Sequence, residues 1–178
     1  RAAVLEAFVA TLDSGRLAFG VALYVPYGRS VKWRDDDYFA MRGLPYAGSM
    51  MVADLTPNVA VRLSDSLSLG LGVDLYHGRV KQDARLFGLE AMGIPNGTRS
   101  RLDAEGEAIG WNGAVTWKMT EKQRLAATFR APFSIPYEGD NTLFIGSTSK
   151  VEAEIDYPTI MGLAYGMEWG KTWRVELS

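Results

Sequence analysis

A chain of 178 residues with 47% hydrophobic content and a mean hydropathy of −0.06 has the composition of one ordinary domain, and 19 basic against 21 acidic side chains give no electrostatic basis for binding nucleic acid. The absence of cysteine excludes a disulfide framework and any thiolate metal site. No run approaches the roughly 18 consecutive apolar residues of a membrane-spanning helix, so any crossing must use strands, whose signal per segment is far weaker.

Strands are what the chain spells out. The first segment, residues 2–12, reads as a strand mainly from its position, because Glu6 and Phe8 share a face. From there the alternation is regular: Leu17, Phe19, Val21, Leu23 and Val25 fall on one face, with Ala18, Gly20, Ala22 and Tyr24 on the other. Met51, Ala53, Leu55, Val59, Val61 and Leu63 then oppose Asp54, Thr56, Asn58 and Arg62. The clearest segment sets Leu67, Leu69, Leu71, Val73 and Leu75 against Ser68, Gly70, Gly72, Asp74 and Tyr76. Ile109, Trp111, Val115, Trp117 and Met119 face away from Asn112, Thr116 and Lys118. Leu125, Ala127, Phe129, Ala131 and Phe133 oppose Arg124, Thr128 and Arg130, and Met161, Leu163, Tyr165 and Met167 alternate with Gly162, Ala164 and Gly166. One such strand would suit a soluble sheet with one buried face; a succession of them reads as an all-β, antiparallel transmembrane barrel of about eight strands.

The connectors orient that barrel. Residues 13–15, 64–66, 120–122 and 170–171 are short and rich in Asp, Ser and Gly, whose local hydrogen bonds and positive φ make tight turns. Between them lie long connectors at 27–48, 85–103 and 139–149. Short alternating with long is the outer-membrane pattern of periplasmic turns and extracellular loops. Trp117, Trp169 and Trp173 flank short turns and fit a periplasmic girdle, while Trp111, Phe133, Tyr137 and Tyr157 lie toward the long-loop side. The outward face above Leu75 continues as His77, Arg79 and Lys81, and Glu105 and Glu107 lead into the next apolar run, so these charges sit above the hydrocarbon. A register pairing Arg79 with Glu107 and Lys81 with Glu105 is expected.

Three stretches carry a family resemblance: TPNVAVRLSDSLSLGLGVDLYHGRVKQ, GEAIGWNGAVTWKMTEKQRLAATFRAPFSIPYEGD and DYPTIMGLAYGMEWGKTWRVELS. In order, they resemble consecutive wall strands of the FadL/TodX family of outer-membrane channels for long-chain fatty acids and other hydrophobic compounds. The resemblance implies a barrel of about fourteen strands plugged by an N-terminal hatch, with this chain similar to the second through ninth strands. On that reading residues 1–178 are a single partial barrel domain lacking the hatch and the C-terminal strands. The start at Arg1 and the short last segment, 172–178, agree with a fragment. The resemblance further implies bacterial outer-membrane lipid and lipopolysaccharide as surroundings, and a ligand that lands between two extracellular loops and leaves sideways beside a kinked strand.

By order, the landing loops are 85–103 and 139–149. Their apolar members are Leu86, Phe87, Leu89, Met92 and Ile94 in one, and Leu143, Phe144 and Ile145 in the other. Loops are normally polar, so these clusters are either a landing groove for an acyl chain or a self-packed loop core. The kink corresponds to Val25, Pro26, Tyr27 and Gly28, where proline removes a ladder donor; a simple strand end is the competing interpretation.

Enzymatic chemistry finds little support. The one histidine, His77, lies on the lipid-facing phase, which is unsuited to a catalytic base. Asp35, Asp36 and Asp37 are consecutive and lack calcium-loop spacing, and Gly70 and Gly72 lie inside a strand rather than at a nucleotide-binding turn. No metal or cofactor is expected. Inward-phased Asp54, Arg62, Asp74, Lys118, Arg124 and Arg130 have mixed signs, which suits a hydrogen-bonded lumen network supporting a hatch or lining a wet pore. The expected function is passive uptake of long-chain fatty acids or other hydrophobic small molecules, with a water-filled porin or structural barrel as the alternative.

Overall fold

The computed structural model describes residues 4–12, 15–33, 42, 44–169 and 173–177. Ten strands follow in order: β1 (Val4–Leu12), β2 (Leu17–Lys32), β3 (Ala47–Arg62), β4 (Leu67–Leu86), β5 (Thr98–Thr120), β6 (Gln123–Arg130), β7 (Phe133–Leu143), β8 (Ser147–Tyr157), β9 (Ile160–Trp169) and β10 (Trp173–Leu177). They form one antiparallel sheet in which β1 to β5 pair in sequence. The lower half of β5 pairs with β6 and its upper half with β7; β9 continues from β6 to β10, and β8 pairs with β7. β6 and β7 are therefore one crossing interrupted after Arg130, and β8 and β9 another interrupted at Pro158 and Thr159. Ten elements thus make the eight crossings expected from the alternation.

Period-two patterning sets the faces. Leu69, Leu71, Val73 and Leu75 of β4 are exposed on the convex side, Leu71 by 61%, and continue sideways into Val59 and Val61 of β3 and Ile109 and Trp111 of β5. Soluble monomers rarely expose contiguous apolar patches above roughly 600 Å²; a band that recurs on the outer face of β2, β3, β4, β5 and β9 is made for hydrocarbon. The concave side instead buries Val52, Asp54, Thr56, Asp74 and Tyr76. At the lower end the chain reverses tightly. The Ser64 hydroxyl accepts from the Ser66 and Leu67 amides, and the Thr120 hydroxyl accepts from the Lys122 amide.

The upper connectors are shorter than expected. Residues assigned to the 85–103 loop extend β4 and β5 up to the pair Leu86↔Thr98, leaving a tip at 87–97 that contains one 3₁₀ turn, Glu90–Met92. The 139–149 connector is a hairpin closed at Phe144–Gly146, where Gly146 has φ +94° and its amide bonds Leu143 O. Above the membrane both strand faces meet water, so alternation disappears while the ladder continues.

The crossing β6–β7 leaves the wall. Ala131 still donates to Trp111 O, but among the described residues the β5–β7 ladder resumes only at Glu105↔Glu138. Pro132 and Pro136 lack the amides a ladder would need. The stretch instead lies over the lumen side of β5. A Cβ on Gly106 would collide with the Pro136 carbonyl oxygen and sit 2.7 Å from Ile135 Cγ2, so only glycine admits the crossing strand. The core assembles there: Val52, Tyr76, Ala104, Phe133, Ile135, Tyr137 and Tyr157. Phe133, Tyr137 and Tyr157 thus line the lumen and do not form an outward girdle, because the phase reverses after Ala131 on one crossing and at Pro158 and Thr159 on the other.

Candidate functional site

The two hairpin tips meet on β5. Leu143 pairs with Ser100, and Phe144 N–H donates at 2.9 Å to the carbonyl of Arg99, the residue next to Thr98 where β5 joins the other tip. In the first tip, Gly97 N–H bonds Leu86 O, Gly88 N–H bonds Asn96 Oδ1, and the Phe87 ring lies over Gly97. Leu86, Phe87, Leu89 and Ile94 are half-buried, whereas Met92 is 75% exposed. In the second, Leu143 is half-buried and Phe144 and Ile145 are exposed, with the Arg99 and Arg101 guanidinium groups 5.5 and 5.6 Å from the Phe144 ring centre. Phe87 packs within its own tip, while Met92, Phe144 and Ile145 present apolar surface to solvent.

At the kink, Tyr24 pairs with Asp54 and Tyr27 with Val52, so Val25 and Pro26 together oppose Ala53. This is a β-bulge inside a strand that runs on to Lys32, and not a strand end. The inserted residue shifts the phase: Gly28 now neighbours Met51 on the outer face, and Tyr27 reaches the lumen beside Tyr24. Among the described residues, β1 pairs with β2 from Leu12↔Leu17 to Val4↔Tyr24. Outside the bulge is a surface groove of about 410 Å³ lined by Val25, Gly28, Ser49, Met51, Arg79 and Lys81 among others.

Directly inside lies a polar network. Thr56 Oγ1 is 2.9 Å from Asp54 Oδ1 and 3.1 Å from Asp74 Oδ1, Asn112 Nδ2 donates to Asp74 Oδ1 at 2.6 Å, and Arg130 Nη1 donates to Asp54 Oδ2 at 2.9 Å. Arg130 also approaches Asp74 at 3.6 Å and lies over the Tyr24 ring. Inward phase on four neighbouring crossings brings these residues together, as the alternation predicted for Asp54, Asp74 and Arg130. Arg62, Lys118 and Arg124 lie apart from them, with Asp65, in a hollow of about 510 Å³ at the short-turn end.

Above the network, Phe133 lies between two parallel rings: Tyr76 at 3.7 Å and 8°, and Tyr157 at 4.7 Å and 7°. Tyr27 tilts against both Phe133 and Tyr157, and the Tyr137 and Tyr157 hydroxyls are 2.8 Å apart. Sequence reading missed this aromatic nest. Its available signal was the pair Pro132 and Pro136 in a stretch otherwise taken for wall.

The charged collar differs from expectation by two residues. Arg79 pairs across from Glu105, Lys81 from Asp103 and His77 from Glu107. Arg79 donates twice to Asp103, at 3.1 and 3.0 Å, and its Nε is 3.2 Å from Glu105; Lys81 is 3.3 Å from Asp103. A two-residue slip preserves the face, so alternation cannot distinguish the registers. The Arg79 guanidinium holds the Asp103 carboxyl below its ordinary range. Trp117 is half-exposed on the outer face; the side chains of Trp169 and Trp173, and Asp35–Asp37, lie outside the described residues. Among the described residues no cluster of ligating side chains could hold a metal, and no helix is long and apolar enough to cross a membrane.

The fold has solved relatives. A Pseudomonas aeruginosa FadL homologue superposes with a TM-score of 0.81 at 16% identity, over 96% of this chain and 46% of that one. The Ralstonia pickettii toluene transporter TbuX gives 0.71 at 16% identity, over 96% and 51%. The Pseudomonas putida toluene transporter TodX gives 0.63 at 15% identity, over 96% and 52%. The chain spans about half the length of these structures, and the similarity is one of fold. No curated protein matches in sequence. The family model described as outer membrane protein transport protein (OMPP1/FadL/TodX) matches residues 2–178, so the chain belongs to that family of outer-membrane β-barrels.

Proposed function

We propose that the intact protein is a passive outer-membrane channel for hydrophobic small molecules, set in outer-membrane lipid and lipopolysaccharide and using neither covalent chemistry nor a cofactor. Ligand lands on the apolar tips, passes into the lumen and leaves laterally at the β2 bulge. The observation that carries this reading is the solvent-facing apolar surface of Met92, Phe144 and Ile145 on two tips joined through β5. Exposed apolar side chains crowning a charged collar serve no packing purpose and suit the capture of poorly soluble molecules. The bulge supports the exit: Pro26 contributes no amide, and a groove adjoins it on the outer face. Long-chain fatty acids are the cargo the resemblance suggests, and the relatives named as toluene transporters extend the class to aromatic hydrocarbons. A water-filled porin fits less well, because Ile135 and Tyr137 bury themselves where its channel would run.

Binding of labelled palmitate to the intact protein tests the landing step. Phe144→Asp and Phe87→Asp are each expected to weaken it at least tenfold by placing a desolvated carboxylate against an acyl chain. Unchanged binding in both refutes the groove.

A further inference from the structure

We propose that the groove on the outer face of β2 and β3 is a binding site for a phosphate of lipopolysaccharide, the phosphorylated glycolipid of the outer leaflet. The inference rests on the outer-membrane setting proposed above and not on the transport of any ligand. Its basis is the lining. Arg29, Arg79 and Lys81 border the groove, and among the described residues no acidic side chain does. Ser30, Ser49 and Lys81 lie side by side in one lateral row of β2, β3 and β4, and the row beneath it is Gly28, Met51 and Arg79. Ser30 and Ser49 are exposed, and among the described residues neither hydroxyl has a partner in the chain. Free hydroxyls beside a guanidinium and an ammonium are the donors that phosphate oxygens accept from.

The two cations are held in place without being saturated. Asp103 and Glu105 lie across β4 on the β5 side, away from the groove's serines. Their contacts engage Nε and Nη2 of Arg79 and one direction of the Lys81 ammonium. The carboxylates thus fix two long side chains that would otherwise lose rotamer freedom on binding. The Arg79 Nη1 and the remaining Lys81 protons stay available to a ligand.

Height selects the lipid. Leu55 and Leu75 form the last leucine row of the apolar band. At about 3.3 Å per residue and a tilt of roughly 40°, Arg79 stands about 10 Å and Lys81 about 15 Å above Leu75 along the barrel axis. The headgroup layer of an ordinary bilayer is only about 5 to 8 Å deep. A phospholipid phosphate therefore lies below the Ser30–Ser49–Lys81 row, whereas the phosphorylated sugar head of lipopolysaccharide extends to it.

The test titrates the intact protein, purified in detergent, with rough lipopolysaccharide that retains its phosphorylated inner core, and counts bound molecules by native mass spectrometry. Saturable binding of one molecule is expected. Lys81→Gln, and Ser30→Ala combined with Ser49→Ala, should each weaken it about tenfold, the worth of a hydrogen bond to a charged group. Lys150→Gln should change it less than twofold, because Lys150 lies in the same lateral row as Lys81, beyond Asp103 and Asp140, but outside the groove. Chemical removal of the phosphates should abolish the difference between wild type and Lys81→Gln. The proposal is overturned if the groove variants bind like wild type, if Lys150→Gln loses as much as Lys81→Gln, if the difference survives dephosphorylation, or if dioleoylphosphatidylglycerol binds as tightly. Palmitate enters none of these arms, so failure of this site and failure of the landing groove are told apart.

Discussion

Replacing Arg130 by methionine should destabilise the barrel by about 3 to 5 kcal/mol, the cost of removing one partner from a buried ion pair. Its environment places it at that end of the scale. Asp54 and Asp74 are 0% exposed, the Arg130 side chain is 17% exposed, and the guanidinium bonds Asp54 at 2.9 Å while lying 3.6 Å from Asp74. Methionine keeps most of the aliphatic stem, so packing against Tyr24 largely survives and the loss is electrostatic. A loss of about 4 kcal/mol shrinks the folded-to-unfolded ratio roughly a thousandfold. Urea titration of the intact protein folded into lipid vesicles reads this directly. The double variant Arg130→Met with Asp54→Asn should regain at least half the loss, since the carboxylate stranded by the first change is then neutral. A single-variant loss below about 1 kcal/mol, the size of an exposed pair, would refute the reasoning, and so would a double variant no more stable than the single.

Two further outcomes are expected. Leu71→Arg, at the most exposed point of the β4 apolar face, should cost roughly 2 to 4 kcal/mol in the same vesicle assay if that face meets hydrocarbon, and close to nothing if it meets water. The Arg79–Asp103 contact should weaken in acid. Because the folded Asp103 carboxyl is depressed, its contribution is complete above the ordinary aspartate value of 3.8 and disappears as pH falls through the lower folded value. Wild type and Asp103→Asn should therefore differ in urea midpoint at neutral pH and converge in strong acid; a gap that widens on acidification contradicts the assignment.

Much of the wall is legible in the residues. Leu67 to Leu75 and Ile109 to Met119 alternate because one face meets an apolar medium and the other a polar lumen, and that contrast also foretells the meeting of Asp54, Asp74 and Arg130. Legibility ends where the contrast ends. Glu138 to Leu143 read as loop because water lies on both sides, although β5 and β8 pair with them. The collar register is ambiguous in steps of two, and what selects Arg79↔Glu105 is closure at Leu86↔Thr98, a property of the distant tip. The Phe133 nest is hidden for a different reason. Phe133 keeps the phase of Phe129 in sequence but loses it in space, because the bend at Pro132 is a tertiary event enabled by a glycine on another strand, Gly106. The aromatic side of the candidate site was therefore invisible, while the tips and the bulge could be named residue by residue.

The length of the β4–β5 hairpin has a consequence for reach. β4 runs for 20 residues; at about 3.3 Å per residue and a tilt of roughly 40°, it rises about 50 Å along the barrel axis. The apolar band of an outer-membrane barrel is about 25 Å tall. Half of the hairpin therefore stands as a mast above the hydrocarbon, with Met92 at its head. On the proposed channel function, a sparingly soluble molecule landing at Met92 meets protein before it meets the polar surface of the membrane.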